Sequence, residues 1–449
     1  MIPCPLWRQA KTNSSAIAMR DGSRTWTFKE WSEEADKWAH AIKSSGIDSS
    51  CAMATVADDP FKTAAQLFGA IRSGHPVAFQ SDRDPIDAIS DQRRRLHFTS
   101  FPEKPSEIKA ESDITPMVDE QAIATILFTS GSTSRPKAVC HSLSNHLHAA
   151  MASEERTPFG LGDRWGLSLS LWHIGGLAIL FRAIVSGGSI LCIPKNKGLD
   201  RAIKREGLTH LSLVAMQLNS LLNKGSHPEK LKSVLIGGGS CPGEVYAKGL
   251  KSGFPLKMTY GMTELASQFC TQSVASGSDN AGSPLTHWSI KIAENGEICA
   301  KGPALFMGYL SDSGIKPARD EDGWFHTGDL GVLENGILYP KGRIDQRFIS
   351  GGENISPEEI EQAVLEHPLS KQAIVVGVPD LIYGQRPVLF YLGDLSEKDL
   401  KKWLEKKLAK FKQPDHIYPW PSEISLFKPS RSALLQLAMA KRKPETRSI

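Results

Sequence analysis

The stretch Leu-Phe-Thr-Ser-Gly-Ser-Thr-Ser-Arg-Pro-Lys, at residues 127–137, decides the fold prediction. Residues 122–128 form an apolar run whose length and composition predict a buried strand. Hydroxyl side chains, one glycine and Lys137 follow it. Such a loop offers backbone N–H groups, hydroxyl donors and a positive charge, which are the groups that hold a polyphosphate. A polar surface loop is the alternative interpretation. The common G-x-x-x-x-G-K-[ST] loop is excluded, because no Ser or Thr follows Lys137.

Two later blocks carry a carboxylate at a strand end or in a turn. The run Met-Thr-Tyr-Gly-Met-Thr-Glu ends at Glu264, and a carboxylate close to a triphosphate is a usual ligand of Mg²⁺. The run Gly-Trp-Phe-His-Thr-Gly-Asp-Leu-Gly, residues 323–331, flanks Asp329 with glycines. Its carboxylate is well placed to accept hydrogen bonds from two ribose hydroxyls. An ordinary strand end at Glu264 and a turn-closing role for Asp329 are the alternatives.

A fourth block, residues 341–361, contains a helix start. Ser356 stands at the N-cap, Pro357 at the first helical position and Glu359 three residues after the cap. Strand-like runs earlier in the chain, such as residues 233–236, alternate with helical patterns. This alternation predicts an α/β architecture with mostly parallel sheets.

In this order and spacing, the four blocks resemble those of the adenylate-forming superfamily. It comprises acyl- and aryl-CoA synthetases, the adenylation domains of peptide synthetases and firefly-type luciferases. The resemblance extends over essentially the whole chain. It implies an α/β fold with a large N-terminal ATP- and acid-binding domain, residues 1–344, of mixed, mostly parallel sheets flanked by helices. A small mobile α+β C-terminal domain, residues 345–449, is expected to rotate about a hinge at Asp345.

The resemblance also implies a role for individual residues. The ATP-binding positions are Thr129, Ser130, Gly131, Ser132, Thr133, Lys137, Gly238, Gly239, Tyr260, Gly261, Thr263, Asp329 and Arg343. Glu264 would hold Mg²⁺, and the acid pocket would be lined by Trp172, Ser212, Gln217 and Gly237. Gly351 and Gly352 would approach CoA, the second substrate. The two catalytic candidates are Lys428 and His173, of which His173 matches a gate beside the acyl site more closely than a general base.

The implied reaction has two steps. The carboxylate of the acid attacks the α-phosphate of ATP, which gives an acyl-adenylate and pyrophosphate. The thiol of CoA then displaces AMP and forms a thioester. Lys428 would bridge the attacking carboxylate and the α-phosphate, where negative charge grows.

Two positions depart from the superfamily pattern. Ser134 stands where most members have glycine in the phosphate loop. The catalytic lysine usually lies in a Gly-Lys-Ile-x-Arg context, whereas Lys428 has Phe427 before it and Pro429 after it. Two lysines near the C-terminus, Lys441 and Lys443, are the alternative catalytic candidates.

Several stretches resemble one subgroup more than the superfamily at large. They lie at residues 209–218, 265–268, 282–285, 408–414 and 428–434. The subgroup is the o-succinylbenzoate–CoA ligases of menaquinone or phylloquinone biosynthesis. A CoA ligase for another aromatic or medium-chain acid is the first alternative. A non-catalytic relative that binds nucleotide or acyl-adenylate is the second. A carrier-loading domain is disfavoured, because no carrier-like motif follows in the chain.

Composition narrows the class of protein further. The chain has 449 residues, enough for two or three domains with cores, and 40% are hydrophobic and 23% charged. Its net charge of +4 is spread along the chain, which does not indicate nucleic acid. Seven scattered cysteines without a C-x-x-C pair predict reduced thiols and a cytoplasmic protein. We expect no signal peptide and no membrane insertion. A homo-oligomer is compatible with the sequence.

Overall fold

A computed structural model describes residues 1–81, 86–107, 115–129, 136–193, 198–228, 230–424 and 430–441, with backbone alone for residues 86–89. The helices are α1 (Pro5–Thr12), α2 (Phe28–Ser44), α3 (Pro60–Arg72), α4 (Ile86–Arg95), α5 (Leu143–Ser153), α6 (Ile174–Ser186), α7 (Leu199–Arg205), α8 (Ala215–Asn223), α9 (Gly243–Lys251), α10 (Pro357–Leu365), α11 (Glu397–Glu405) and α12 (Arg431–Lys441).

The strands of the first half of the chain are β1 (Ile2–Pro3), β2 (Ile17–Arg20), β3 (Thr25–Thr27), β4 (Met53–Val56), β5 (Val77–Gln80), β6 (Thr99–Ser100), β7 (Met117–Val118), β8 (Ile123–Thr129), β9 (Lys137–Ser142), β10 (Arg164–Leu167), β11 (Ser189–Cys192), β12 (His210–Leu213) and β13 (Ser233–Ile236). Those of the second half are β14 (Leu256–Met262), β15 (Ser267–Thr271), β16 (Ser283–Pro284), β17 (Ser289–Ile292), β18 (Glu297–Lys301), β19 (Gly308–Ser311), β20 (Gly314–Lys316), β21 (Phe325–Glu334), β22 (Ile337–Arg343), β23 (Phe348–Ser350), β24 (Glu353–Ile355), β25 (Ser370–Asp380), β26 (Gly384–Gly393) and β27 (His416–Pro419).

Two large mixed sheets form the body of the protein. The nine-stranded sheet has the order β16-β15-β14-β13-β12-β10-β11-β2-β3, and its central pairs, from β14 to β2, are parallel. The seven-stranded sheet has the order β20-β19-β9-β8-β5-β4-β6, with parallel pairs between β8 and β6. The antiparallel pairs β8–β9 and β14–β15 carry the predicted phosphate-loop and Glu264 motifs. The mixed α/β fold that the sequence predicts is therefore confirmed.

A shared layer of helices joins the two large sheets. The largest apolar cluster contains Phe79 and Leu127 of the seven-stranded sheet and Trp165 of the nine-stranded sheet. Phe68 of α3 and Phe181 of α6 meet between them, with ring centroids 5.9 Å apart. Helices α3 and α6 are apolar around most of their circumference, as expected for helices covered on both sides.

Three smaller sheets complete the fold, of which one is the antiparallel pair β1–β7. Strands β17, β18, β21 and β22 form a second, antiparallel sheet, in which Asn335 and Gly336 make the β21–β22 turn with φ angles of 51° and 78°. After a short 3₁₀ helix, Ile344–Gln346, strands β23 to β27 form a separate sheet with α10, α11 and α12. This C-terminal unit has apolar clusters of its own, centred on Val375 and Phe390. It matches the expected α+β unit after Asp345.

One detail of the predicted helix start is wrong. Helix α10 begins at Pro357, as predicted, but the Ser356 side chain does not cap it. The Ser356 hydroxyl is instead turned toward Glu358, donates to its Oε2 at 3.0 Å, and accepts no backbone N–H of the first turn. Only the backbone N–H of Glu359 reaches the Ser356 carbonyl, at 3.2 Å.

No helix among the described residues combines the length and the apolar character that a membrane span requires.

Candidate active site

Asp329 and Arg343 face each other across the β21–β22 hairpin. They are direct partners in the strand register, and Arg343 Nη1 donates to Asp329 Oδ1 at 2.9 Å. The Tyr260 hydroxyl reaches the same carboxylate from β14 and donates to Oδ2 at 2.6 Å. Each carboxylate oxygen thus has one fixed donor and keeps a lone pair for another. Two adjacent acceptors of this kind suit a vicinal diol such as that of ribose.

Burial and neighbours act on Asp329 in opposite directions. Loss of water around the carboxyl raises its pKa, and the hydrogen bond from Tyr260 and the Arg343 guanidinium counteract that rise. Arg343 also pairs with Asp345, its Nε lying 3.0 Å from Oδ1. The Arg343 side chain therefore links Asp329, which is predicted to bind the nucleotide, to the predicted hinge residue Asp345.

Glu264 lies in a 3₁₀ turn, Thr263–Leu265, between β14 and β15. Its side chain is buried, and Oε1 accepts a 2.9 Å hydrogen bond from the Tyr309 hydroxyl. The Tyr309 ring in turn lies under the ammonium group of Lys137, 5.0 Å from Nζ to the centroid. Burial raises the pKa of Glu264, and both Tyr309 and Lys137 oppose the rise. One aromatic side chain therefore links the predicted metal ligand to the predicted phosphate lysine.

The sequence analysis missed Tyr309. It lies on β19, a strand with no motif of its own, and only the pairing of β19 with β9 places it beside Lys137. The run Phe-Met-Gly-Tyr, residues 306–309, was the feature of the sequence that could have indicated Tyr309. It places a tyrosine hydroxyl directly after a glycine, where a turn is expected.

The donor set fits a cation that is held chiefly by substrate and water. A single buried carboxylate, Glu264, faces the lysine of the phosphate loop, and Mg²⁺ commonly binds to one or two protein oxygens plus substrate phosphates. Among the described residues, no cluster of three or more His, Cys, Asp or Glu side chains could hold a metal ion by itself.

The two ends of the phosphate loop are fixed by strand pairing. Thr129 ends β8, Lys137 begins β9, and the two residues are partners in the antiparallel register. The predicted loop residues between them, Ser130, Gly131, Ser132 and Thr133, and the unusual Ser134, lie outside the described residues. The structure thus brings Lys137 to the end of the sheet where Glu264 lies.

Glycines border the site where backbones must pass closely. A Cβ on Gly261 would lie 1.6 Å from the Ser267 carbonyl oxygen, so only glycine fits between β14 and β15. After β13, Gly238 and Gly239 are exposed and have φ angles of 77° and 154°. Gly237, just before them, would place a Cβ 3.0 Å from Thr259 Cγ2. These residues leave an open backbone surface beside Tyr260.

The predicted acid-pocket residues surround the ends of β12 and α6. Trp172 is buried against His173, with ring centroids 5.8 Å apart, and His173 occupies the N-cap of α6. Ser212 is buried, and its hydroxyl has no hydrogen-bond partner among the residues that the structure describes. Gln217 donates to the Ser168 carbonyl and accepts from the Val214 N–H. Its amide thus braces the loop before α6.

Arg182 is the second residue that the sequence analysis missed. It lies inside the otherwise apolar helix α6 with only 2% of its surface exposed. Nη2 donates to Gln268 Oε1 at 2.7 Å, and Nε donates to the Ser153 hydroxyl at 3.2 Å. The guanidinium also lies over the Trp165 ring, 4.7 Å from the centroid. The sequence did contain an indication of this residue, which is an arginine inside an apolar helical segment. Arginine is rarely buried completely unless it is paired.

Hydrogen bonds connect Arg182 to the site. Gln268 donates to the Thr271 hydroxyl at 2.8 Å, and Thr271 meets the Thr259 hydroxyl at 3.0 Å. Thr259 in turn packs against Gly237. Among the described residues, no carboxylate lies within ion-pair distance of the Arg182 guanidinium, and the more distant Glu154 carboxylate is the negative charge that acts on it. Burial lowers the pKa of Arg182 to about 10, so the group stays charged at neutral pH.

The predicted CoA residues lie on the C-terminal sheet. Gly351 and Gly352 form the turn between β23 and β24, with φ angles of 60° and 88°, and the Gly351 N–H donates to the Tyr383 carbonyl. Lys428 lies outside the described residues. Arg431, at the start of α12, makes a two-pronged ion pair with buried Glu361. Within the described ranges, the hydrogen bonds of Gly351 remain in the C-terminal unit.

The sequence of this chain clearly matches a known protein family. The sequence profile described as "AMP-binding enzyme" matches residues 80–310, and its C-terminal domain profile matches residues 359–426. The chain belongs to the AMP-binding enzyme family. It is 35% identical over 356 residues to 2-succinylbenzoate–CoA ligase of Bacillus mycoides, with 74% of each chain covered.

Two solved structures share the entire fold. One is o-succinylbenzoate CoA synthetase (MenE) from Bacillus subtilis in complex with the acyl-adenylate intermediate OSB-AMP. It is 26% identical with a TM-score of 0.84, and the match covers 96% of this chain and 98% of that one. The other is the same Bacillus subtilis enzyme in complex with ATP and a magnesium ion. It is 25% identical with a TM-score of 0.85, and the match covers 97% and 99%.

Proposed function

We propose that this chain is an AMP-forming o-succinylbenzoate–CoA ligase of menaquinone or phylloquinone biosynthesis. Relatives of that name support the proposal, since one of them shares 35% of its residues over 74% of both chains. The substrates would be o-succinylbenzoate, ATP and CoA. A cytoplasmic location forms part of the proposal and is supported by seven cysteines that are all free thiols.

The Arg182 guanidinium is the observation that carries the choice of acid. It is a buried positive charge, and in the described part of the chain the carboxylate that acts on it, Glu154, lies beyond ion-pair distance. A buried charge is costly unless a ligand or side chain of opposite charge pairs with it. o-Succinylbenzoate has two carboxylates. One is activated by ATP, and the other remains for Arg182. A monocarboxylic fatty acid would leave the guanidinium unpaired.

In the first step, the side chains chiefly position the reactants and neutralise charge. Asp329 would accept hydrogen bonds from the ribose, held in place by Tyr260 and Arg343. Lys137 would bind the outer phosphates from the start of β9. Thr263 would reach the α-phosphate, and Lys428 would stabilise the charge on the attacking carboxylate and on the α-phosphate.

Glu264 is the residue that would hold Mg²⁺, aided by the position that Tyr309 gives its carboxylate. When bound, the ion neutralises the negative charge of the triphosphate and of the pyrophosphate leaving group.

In the second step, the thiol of CoA attacks the acyl carbonyl, and AMP leaves with the electron pair of the broken C–O bond. We propose that residues 345–449 rotate about Asp345 between the steps, so that Gly351 and Gly352 approach the acyl site. The Arg343–Asp345 ion pair lies at this hinge. His173, beside Trp172 at the start of α6, would act as a gate and not as a base.

Thioester formation with Mg-ATP, CoA and a panel of acids tests the proposal. The panel contains o-succinylbenzoate, benzoate, 4-hydroxybenzoate and fatty acids of about six to twelve carbons. We expect AMP and CoA thioester from o-succinylbenzoate at a kcat/KM at least about 100-fold above that for the other acids. A preference for another acid would contradict the assignment and would retain the two-step ligase chemistry. Absence of pyrophosphate exchange with every acid would contradict an enzymatic role.

A further inference from the structure

The turn that carries Glu264 has an unusual backbone. Directly after it, Ala266 and Ser267 have φ angles of 50° and 106°, which L side chains rarely adopt. Such a conformation persists only where surrounding contacts impose it. The position of the Glu264 carboxylate therefore depends on the groups that hold this turn.

His141 forms a hydrogen bond with the backbone of this turn. It is completely buried in β9, and its Nε2 donates to the Thr263 carbonyl oxygen at 2.7 Å. The same carbonyl accepts the Ala266 N–H at 3.0 Å, so both of its lone pairs are used. Because the acceptor is a carbonyl, Nε2 must carry the ring proton.

The imidazole has no other hydrogen-bonding task in the described part of the chain. Its Nδ1 is buried without a partner. Its ring centroid lies 5.0 Å from that of His146, which itself bonds to Thr125 and stacks on Phe181. Burial lowers the pKa of His141 to about 4, in agreement with a neutral ring. An aliphatic residue would satisfy packing here, so the polar ring is explained by its bond to the turn.

The strand that presents His141 also begins with the phosphate lysine. Side chains alternate along a strand, so Lys137 and His141 lie on the same face of β9. Lys137 contacts the Tyr309 ring, and Tyr309 holds the Glu264 carboxylate. The Phe306 N–H holds the Glu264 carbonyl at 2.9 Å. One face of β9 thus contacts the turn through the His141 side chain, and residues 306–309 contact it through the Phe306 backbone and the Tyr309 hydroxyl.

We propose that His141 is a positioning residue for Mg-ATP: it fixes the Thr263 carbonyl and thereby aims the Glu264 carboxylate at the metal. The inference rests on the proposed function, because that function assigns Mg²⁺ to Glu264. His141 touches neither substrate nor metal. Loss of the His141 ring should reduce the gain in ATP affinity that Mg²⁺ provides. The affinity for ATP in the absence of Mg²⁺ should not change.

Calorimetric titration of ATP into the full chain, once with Mg²⁺ and once with EDTA, tests the proposal. The side chain introduced in His141→Asn is too short for its amide to reach the Thr263 carbonyl. In His141→Gln, the amide N–H lies nearly as far from the backbone as Nε2 of the histidine ring does. We expect His141→Asn to reduce the gain in affinity from Mg²⁺ about tenfold, because a buried carbonyl loses a donor. His141→Gln should retain that gain within about threefold. Affinity in EDTA should be unchanged in both variants.

His75→Asn is the matched control. His75 is also buried, and its Nε2 contacts the Ile47 carbonyl at 3.3 Å, in a part of the chain without a predicted ligand. This variant should keep the full gain from Mg²⁺. Equal gains in His141→Asn and the parent chain would overturn the proposal, as would an equal loss in His141→Gln and His141→Asn.

The readout separates the inference from the proposed function. ATP binding requires no acid, so a parent chain that binds Mg-ATP but ligates no acid would refute the function and leave the role of His141 testable. A parent chain whose ATP affinity does not respond to Mg²⁺ would overturn the role of His141 itself. A ligase whose His141→Asn variant behaves as the parent would refute the inference alone.

Discussion

At the proposed nucleotide end of the site (Tyr260, Asp329 and Arg343), the central pair lies 14 residues apart on one hairpin. At the proposed acid end (Arg182, Gln268, Thr271 and Thr259), the central pair lies 86 residues apart, on a helix and a strand that follow different motifs. Local sequence builds the first end, whereas packing between distant elements builds the second. Short motifs can therefore predict how the chain handles ATP, but they say little about which acid it selects.

The largest expected effect concerns the predicted catalytic lysine. Lys428→Ala should lower adenylation about 100- to 1000-fold, because a charge aimed at the developing negative charge is lost. Pyrophosphate exchange measures this step. Thioester formation from preformed acyl-adenylate should be nearly unchanged. Lys441→Ala, which removes an alternative catalytic candidate, should leave both half-reactions intact; the reverse pattern would transfer the role to Lys441.

The next effect concerns the nucleotide end alone. Asp329→Asn should raise the KM for ATP about 10- to 100-fold, because hydrogen bonds to a charged acceptor are stronger than those to an amide. The KM for the acid should change less than about threefold. Steady-state kinetics with each substrate varied provides the measurement, and Asp322→Asn, on an exposed turn of the same sheet, is the control. Equal rises in both KM values would show that the two ends are coupled.

Tyr309→Phe should have a smaller effect. The variant keeps the ring under Lys137 and removes the hydroxyl that donates to Glu264. We expect the Mg²⁺ concentration for half-maximal pyrophosphate exchange to rise about fivefold, which corresponds to one net hydrogen bond. Tyr339→Phe, on β22 and half-buried, is the control. An unchanged Mg²⁺ dependence would contradict a role for Tyr309 in positioning Glu264.

The smallest effect is a pH dependence of stability near Asp329. The hydrogen bond with Glu297 is the main cause that raises the pKa of His326, and Asp320 adds to the rise. A raised pKa means that protonated His326 stabilises the folded state below about pH 6.5 and that this stabilisation is lost as pH rises through the folded pKa. The ring is half exposed, so the gain is at most about 1 kcal/mol.

Urea unfolding of the parent chain and His326→Gln at pH 5.5 and pH 8.5 measures this difference. The parent should exceed the variant in unfolding free energy at the lower pH only. A difference that grows as pH rises would contradict the assigned direction. Because Glu297 also accepts the Gly328 N–H at 2.8 Å, the experiment reports on the loop that precedes Asp329.

The residues assigned to the nucleotide end each lie in a short block of sequence, and their binding roles stay predictions. Asp329 and Glu264 were singled out from their neighbours and Arg343 from the resemblance, and the structure brings Asp329 and Arg343 together. Tyr309 and Arg182 could not be found in this way, since their partners come from other strands. The side-chain cap at Ser356 was predicted wrongly, because the hydroxyl is turned toward Glu358 and away from the backbone N–H groups of the first turn. The rotamer of such a side chain depends on its three-dimensional surroundings.

The central claim is that Arg182 selects an acid with a second carboxylate. Its most direct test compares kcat/KM for o-succinylbenzoate with that for 4-oxo-4-phenylbutanoate, which lacks the ring carboxylate, in the parent chain and in Arg182→Met. We expect the kcat/KM of the parent chain to be about 100-fold or more higher for the diacid than for the monoacid. In Arg182→Met this ratio should fall to near unity, and the KM for ATP should not change. An unchanged preference in Arg182→Met, or a parent chain that uses both acids equally, would contradict it.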